Sequence, residues 1–104
     1  MKIYLAIPYS GNEEESFRTA NAFAGKLMRK GHIVFSPISH SHPISKTFKE
    51  MPWEFWKSQD EAFLEWCDEL CVIMADGWED SRGVTEEIEI IKEMKKPINY
   101  MDTV

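Results

Sequence analysis

The sequence predicts an α/β fold built on a parallel sheet, and three observations carry that prediction. Short apolar runs rich in β-formers alternate with segments whose apolar residues recur at helical spacing, in the order β-α-β-α-β-α-β. Turn residues such as Gly31, Pro37 and Gly77 stand between them. Strands that alternate with helices pair in parallel through right-handed crossovers. No internal repeat or linker interrupts the pattern, so residues 1–104 read as one domain.

Lys2 to Ile7 is the first strand, stopped by Pro8. The loop Pro8-Tyr9-Ser10-Gly11-Asn12 follows, with Ser10 or Asn12 available to cap a helix that opens on Glu13, Glu14 and Glu15. Phe17, Ala20, Ala24, Leu27 and Met28 give that helix its stripe, and Gly31 ends it, leaving His32 as an exposed helix-end residue. Ile33-Val34-Phe35 is a short second strand. The segment from Ile38 to Pro52 has no period and carries Ser39, His40, Ser41, His42, Pro43 and Ser45. It is expected to be a loop with room for one helical turn, of the length that small domains use as a lid. Pro52 to Asp68 is the second long helix, Leu70 to Ala75 the third strand, Val84 to Lys95 the third helix, and Pro97 to Met101 the last strand.

Composition narrows the class. The chain has 104 residues and a formal net charge of −6, a balance opposite to that of proteins that grip nucleic-acid backbones. No apolar run is long enough to span a bilayer, and no basic region with an apolar core opens the chain. A cytoplasmic protein that binds neither membrane nor nucleic-acid polymer is expected. Cys67 and Cys71 are expected to be free, buried thiols. A domain of this size buries roughly two-thirds of its extended surface, so assembly into an oligomer is plausible.

The most informative stretch runs from Asp76 to Ile88, where the third strand feeds a turn-rich loop that opens the third helix. Such junctions are where α/β proteins place ligands, and the free N–H groups at a helix start suit an anion. Two carboxylates break the apolar stripes nearby. Glu87 falls three residues after Val84 and four before Ile91. Asp60 falls four after Trp56 and three before Phe63. Buried carboxylates are costly unless paired, and two in different surroundings can divide the work of nucleophile and acid or base. Glu86, Glu89 and Glu93 point elsewhere, onto a solvated face. Trp53 and Trp56 belong to the stripe as core or interface residues, whereas Trp78 in the loop above the sheet is placed to meet ligand. Tyr9 and Ser10 sit in the first crevice loop and are expected to touch ligand, and His40 and His42 are expected to close over the base or sugar. His40 and His42 are too few to hold a metal, which takes three or four ligands, so no metal or cofactor is expected.

The sequence resembles the nucleoside 2-deoxyribosyltransferases and their relatives, the 2′-deoxynucleoside 5′-phosphate N-glycosidases, and is most similar to their small bacterial and phage branch. The residues that carry the resemblance are Tyr4 to Ser10, Phe35 to Ile44, Trp56 with Asp60, Cys67 to Leu70, Gly77 to Val84, Glu87, and Pro97-Ile98. The resemblance implies a flavodoxin/Rossmann-like three-layer sandwich with four or five strands, and a homodimer or homotetramer. It implies that Glu87, four after Gly83, attacks C1′ of a deoxyribose, that Asp60 holds the sugar hydroxyls and assists proton transfer to the leaving base, and that Tyr4 orients Glu87. It further implies that Ser81 contacts a phosphate, beside which Gly83 would offer backbone donors and Arg82 charge-assisted bonds. The first loop, Ile7-Pro8-Tyr9-Ser10-Gly11, departs from the small glycine-type residues common in the family, and the segment with His40 and His42 is peculiar to this branch.

The function expected is hydrolysis of the N-glycosidic bond of a (deoxy)nucleoside 5′-monophosphate, or deoxyribosyl transfer between bases. The alternative is a module that binds or senses nucleotides without chemistry. The pair Asp60 and Glu87 favours the enzyme, because binding alone has no use for an attacking carboxylate.

Overall fold

Alternation along the first strand sorts its side chains onto two faces of a sheet. The computed structural model describes residues 1–47 and 49–103. Strands β1 (Lys2–Ala6), β2 (Ile33–Phe35), β3 (Glu69–Ile73) and β4 (Ile98–Met101) pair in parallel in the spatial order β2-β1-β3-β4. Ile3 and Leu5 of β1, with Cys71 and Ile73 of β3, meet Ala20, Ala24 and Leu27 of helix α1 (Glu13–Arg29). Tyr4 and Ala6, with Leu70 and Val72, meet Leu64 of α3 (Trp53–Trp66) and Val84 and Ile91 of α4 (Arg82–Glu93). Each such fully buried Leu, Ile or Val contributes about 1.5–3 kcal/mol, which makes any charged group on the same faces conspicuous.

The strand order decides where a ligand can sit. The chain leaves β1 for β2 at one edge, then returns past β1 to β3, so its connections cover opposite faces. A crevice therefore opens beyond the carboxyl ends of β1 and β3, the switch point of the fold.

The structure departs from the sequence expectation most in the segment after β2. Residues Pro37–Ser45 form a nine-residue helix, α2, instead of a loop with one turn. Ser36 is extended, Pro37 takes the first helical position, and His40 N–H donates to Ser36 O at 3.0 Å. Pro43 lies inside this helix, where it removes a backbone donor. The helix is held by what it meets: His42 is buried against Phe17 of α1, ring centroids 4.7 Å apart. Phe48, within the expected loop, lies outside the described residues.

Smaller corrections follow from local bonding. Neither Ser10 nor Asn12 caps α1 with its side chain: Asn12 stands at the cap position without that bond, while Ser16 Oγ donates to Pro8 O at 2.7 Å. His32 is half-buried rather than exposed. Cys67 and Cys71 are free and buried, and burial pushes both thiols up, Cys71 to about 12, so neither is a nucleophile near neutrality. Among the described residues no helix is long and apolar enough to cross a membrane.

Candidate functional site

A cavity of about 930 Å³ occupies the crevice at the ends of β1 and β3. That is the size of a small-molecule site. One wall comes from α3 and α4 and the loop after β3. The facing wall comes from the loop after β1 and from α2. Lys49, Glu50 and Met51 cover it between α2 and α3.

Glu87 and Asp60 both line this cavity. They reach it from different helices, and Tyr4 joins them from beneath. Tyr4 is fully buried in β1, on the strand face that looks toward α3 and α4, and its hydroxyl donates to Glu87 Oε2. Burial is the main cause that raises the Glu87 carboxyl to about 8; the charges of Asp60 and Glu86 add to it, and the Tyr4 hydrogen bond opposes it. Burial likewise raises Asp60 to about 6, again against hydrogen bonding with Tyr4. Tyr4 itself is pushed well above its ordinary value, first by burial and then by the charge of Glu87, so it stays a donor. Near neutral pH the pair therefore holds one proton between two carboxyls, an arrangement suited to one anion and one acid.

The facing wall carries a second set of polar groups. The Tyr9 hydroxyl lies 2.6 Å from His42 Nδ1, and His42 Nε2 lies 3.0 Å from Glu14 Oε1. Lys46 Nζ reaches the same Glu14 oxygen at 2.7 Å. Tyr9, Ser10 and His42 all line the cavity, and Glu14 stands behind them on α1.

Ser81, Arg82 and Gly83 border the cavity as well, but their donors are partly engaged. Ser81 Oγ accepts from Val84 N–H at 3.3 Å and so caps α4. Arg82 is largely exposed, its Nε is 3.5 Å from Glu86 Oε1, and its guanidinium lies over the Trp53 ring at 5.3 Å. Asp76 and Asp80 stand beside them in the lining. Gly83 packs beside Trp53: a Cβ there would come 3.4 Å from the ring, an ordinary contact.

Two expected site residues are not brought to the cavity. Trp78 packs on the α3/α4 side of the core, 5.6 Å from Tyr100. His40 is exposed and turned to Phe35 at 5.6 Å. The aromatic wall is supplied instead by Trp53 and Trp56. Glu86 is also not a solvated residue: it is half-buried, accepts from Trp53 Nε1 at 3.1 Å and lies 3.7 Å from Lys57. Lys49, Asp76, Asp80 and Glu14 escaped the sequence reading. The strand-loop-helix junction was a signal for Asp76 and Asp80; Lys49 and Glu14 had none, since each looks like an ordinary surface charge.

Against known proteins, the family described as "Domain of unknown function (DUF1937)" matches residues 1–103. No curated protein matches the sequence significantly. Among solved structures the chain is similar to the 2-deoxyribosyltransferase from the psychrotolerant bacterium Bacillus psychrosaccharolyticus. The TM-score is 0.72 at 25% identity, covering 98% of this chain and 72% of that one. The resemblance to that superfamily and the flavodoxin/Rossmann-like fold are both borne out.

Proposed function

The chain belongs to the family described as Domain of unknown function (DUF1937), and from that premise we propose that it cleaves the N-glycosidic bond of a 2′-deoxynucleoside, passing the sugar to water or to a second base. The observation that carries this reading is that Glu87 and Asp60, from two helices, share one cavity with the Tyr4 hydroxyl donating to Glu87. The likeness to a 2-deoxyribosyltransferase supports the class of chemistry.

In the proposed mechanism Glu87 is the nucleophile. Its carboxylate oxygen bonds to C1′ as the bond from C1′ to the base nitrogen breaks, and the electron pair leaves with the base. Near neutrality the proton that the pair keeps rests on Glu87, and the reactive form is the one in which it has passed to Asp60, from which the base takes it up. Water or a second base then attacks C1′, freeing the Glu87 carboxylate, and the attacking group's proton goes to Asp60. A carboxylate that forms an ester in this way divides one difficult displacement into two easier ones. The Tyr4 hydrogen bond favours the charged form of Glu87 against its burial.

Charge favours an unphosphorylated substrate over a 5′-monophosphate. Around Ser81 the lining holds Asp76 and Asp80, while the Arg82 side chain is drawn to Glu86. A phosphate at Ser81 would have these two carboxylates as neighbours, while the other cation of the lining, Lys49, lies on the segment between α2 and α3. Trp53 and Trp56 offer faces on which a base can stack.

The test is incubation with a panel of deoxynucleosides and their 5′-monophosphates, followed by chromatography for free base. Release of base from the nucleosides, lost in Glu87→Ala, supports the reading. If no base is released while a nucleotide raises the melting temperature, the protein is a binding module instead.

A further inference from the structure

The hydrogen bonds on the α1–α2 wall run in one direction. Glu14 is held as a carboxylate, its pKa lowered first by the hydrogen bond with Lys46 and then by that with His42. A carboxylate only accepts. His42 Nε2, 3.0 Å from Glu14 Oε1, must therefore carry a proton. In the neutral ring Nδ1 is then a bare lone pair. The Tyr9 hydroxyl, 2.6 Å away, must donate to it. Ser45, whose hydroxyl also bonds with that of Tyr9, does not reverse this, because its own proton goes to the His42 carbonyl at 2.7 Å. The imidazole is only 6% exposed and packs on Phe17, which keeps both nitrogens on their partners.

With the ring neutral, His42 Nδ1 takes the one proton that Tyr9 has. Tyr9 lines the cavity, and with its proton so committed its oxygen can only accept from a group bound there. We propose that the chain Glu14–His42–Tyr9 makes Tyr9 an acceptor-only contact, which selects nucleobases offering an amino group over those offering a carbonyl at the same position. Adenine and hypoxanthine differ in this way, and so do cytosine and uracil. An amino group satisfies the Tyr9 lone pair. A carbonyl would set two acceptors face to face, with neither satisfied and both removed from water. Glu14 and His42 act through Tyr9 and are positioning residues. The inference rests on the reading of the cavity as a deoxynucleoside site.

The experiment compares kcat/KM for deoxyadenosine against deoxyinosine, and for deoxycytidine against deoxyuridine, in the wild-type protein, Tyr9→Phe and Glu14→Gln. The amino substrate is expected to be favoured about tenfold within each pair, the worth of one buried hydrogen bond. In Tyr9→Phe both ratios should fall toward one. In Glu14→Gln, where the new amide can donate to Nε2 and admit the other tautomer, they should fall as well. A purely structural role for these residues would lower all four rates together and leave the ratios unchanged. Ratios near one or reversed in the wild type, or ratios that survive Tyr9→Phe, overturn the proposal while leaving the glycosidic reading intact. If none of the four is cleaved, the enzyme reading fails, and dissociation constants from calorimetry replace the rates. Equal constants within each pair, or no binding of any of the four, then overturn this proposal too.

Discussion

Glu87 stands where a charge is costly, on a face shared with Val84 and Ile91, and its carboxyl is held at about 8 against an ordinary 4.5. Its folded form keeps a proton that the unfolded chain gives up. Folding stability from this group is fully present below pH 4.5 and is lost as the pH rises toward 8. Glu87→Gln removes that loss, so at pH 8 the variant should unfold at higher urea than the wild type, by on the order of a few kcal/mol. At pH 4 the two should nearly coincide. In the proposed mechanism the same variant loses at least about a thousandfold in kcat, the scale at which removing a nucleophile acts. More stable yet inactive is the signature expected of a group placed for function. Tyr4→Phe should lower kcat about ten- to a hundredfold, because the hydroxyl that favours the ionised Glu87 is gone. Both Glu87 and Asp60 were legible in the sequence, since each interrupts an apolar stripe. Trp78 and Trp53 were exchanged in role. A stripe position predicts burial, but Trp53 lies at the end of its helix, where the stripe runs past the sheet into the cavity.

The elements that position these groups differ in how they were encoded. Helix α4 begins with a bond that the sequence assigned to another task. Ser81 caps it by accepting from Val84 N–H, so Ser81→Ala should cost about 1 kcal/mol in urea unfolding. The same change should lower activity only modestly if Ser81 serves the helix rather than a phosphate. Helix α2 was not legible. It has no apolar stripe, and it carries Pro43 in its interior. What makes it a helix is tertiary: His42 is buried against Phe17 and bonded to Tyr9 and Glu14. A local pattern cannot report a helix whose stability lies in contacts with residues 25 or more positions away. The long helices were plain for the opposite reason, since their stripes match the faces that they bury.

For the molecule as a whole, alternation of strands and helices was enough to give a parallel α/β sheet. The order β2-β1-β3-β4 was not, because pattern alone does not say on which side of β1 the chain returns. That order sets the site. It brings the ends of β1 and β3 together, so Tyr9, on the wall with α2, faces groups from α3 and α4 across a single cavity, with Tyr4 buried beneath Glu87. Because the two carboxyls divide one proton, activity should follow a bell with limbs near pH 6 and pH 8. Below the lower limb both are protonated and no nucleophile remains; above the upper limb both are charged and the leaving base finds no acid. A pH–rate profile of base release checks this, and a rate that climbs steadily above pH 8 would exclude Asp60 and Glu87 as the titrating pair.

The central claim is that a protein carboxylate bonds to the sugar, and stereochemistry tests it most directly. Cleavage of a β-deoxynucleoside in the presence of a second base or of methanol should give, as the first product seen by proton NMR, a new β-linked deoxyriboside. Two displacements at C1′ restore the starting configuration. An α-linked first product would mean a single displacement by the acceptor itself, and Glu87 would then be no nucleophile.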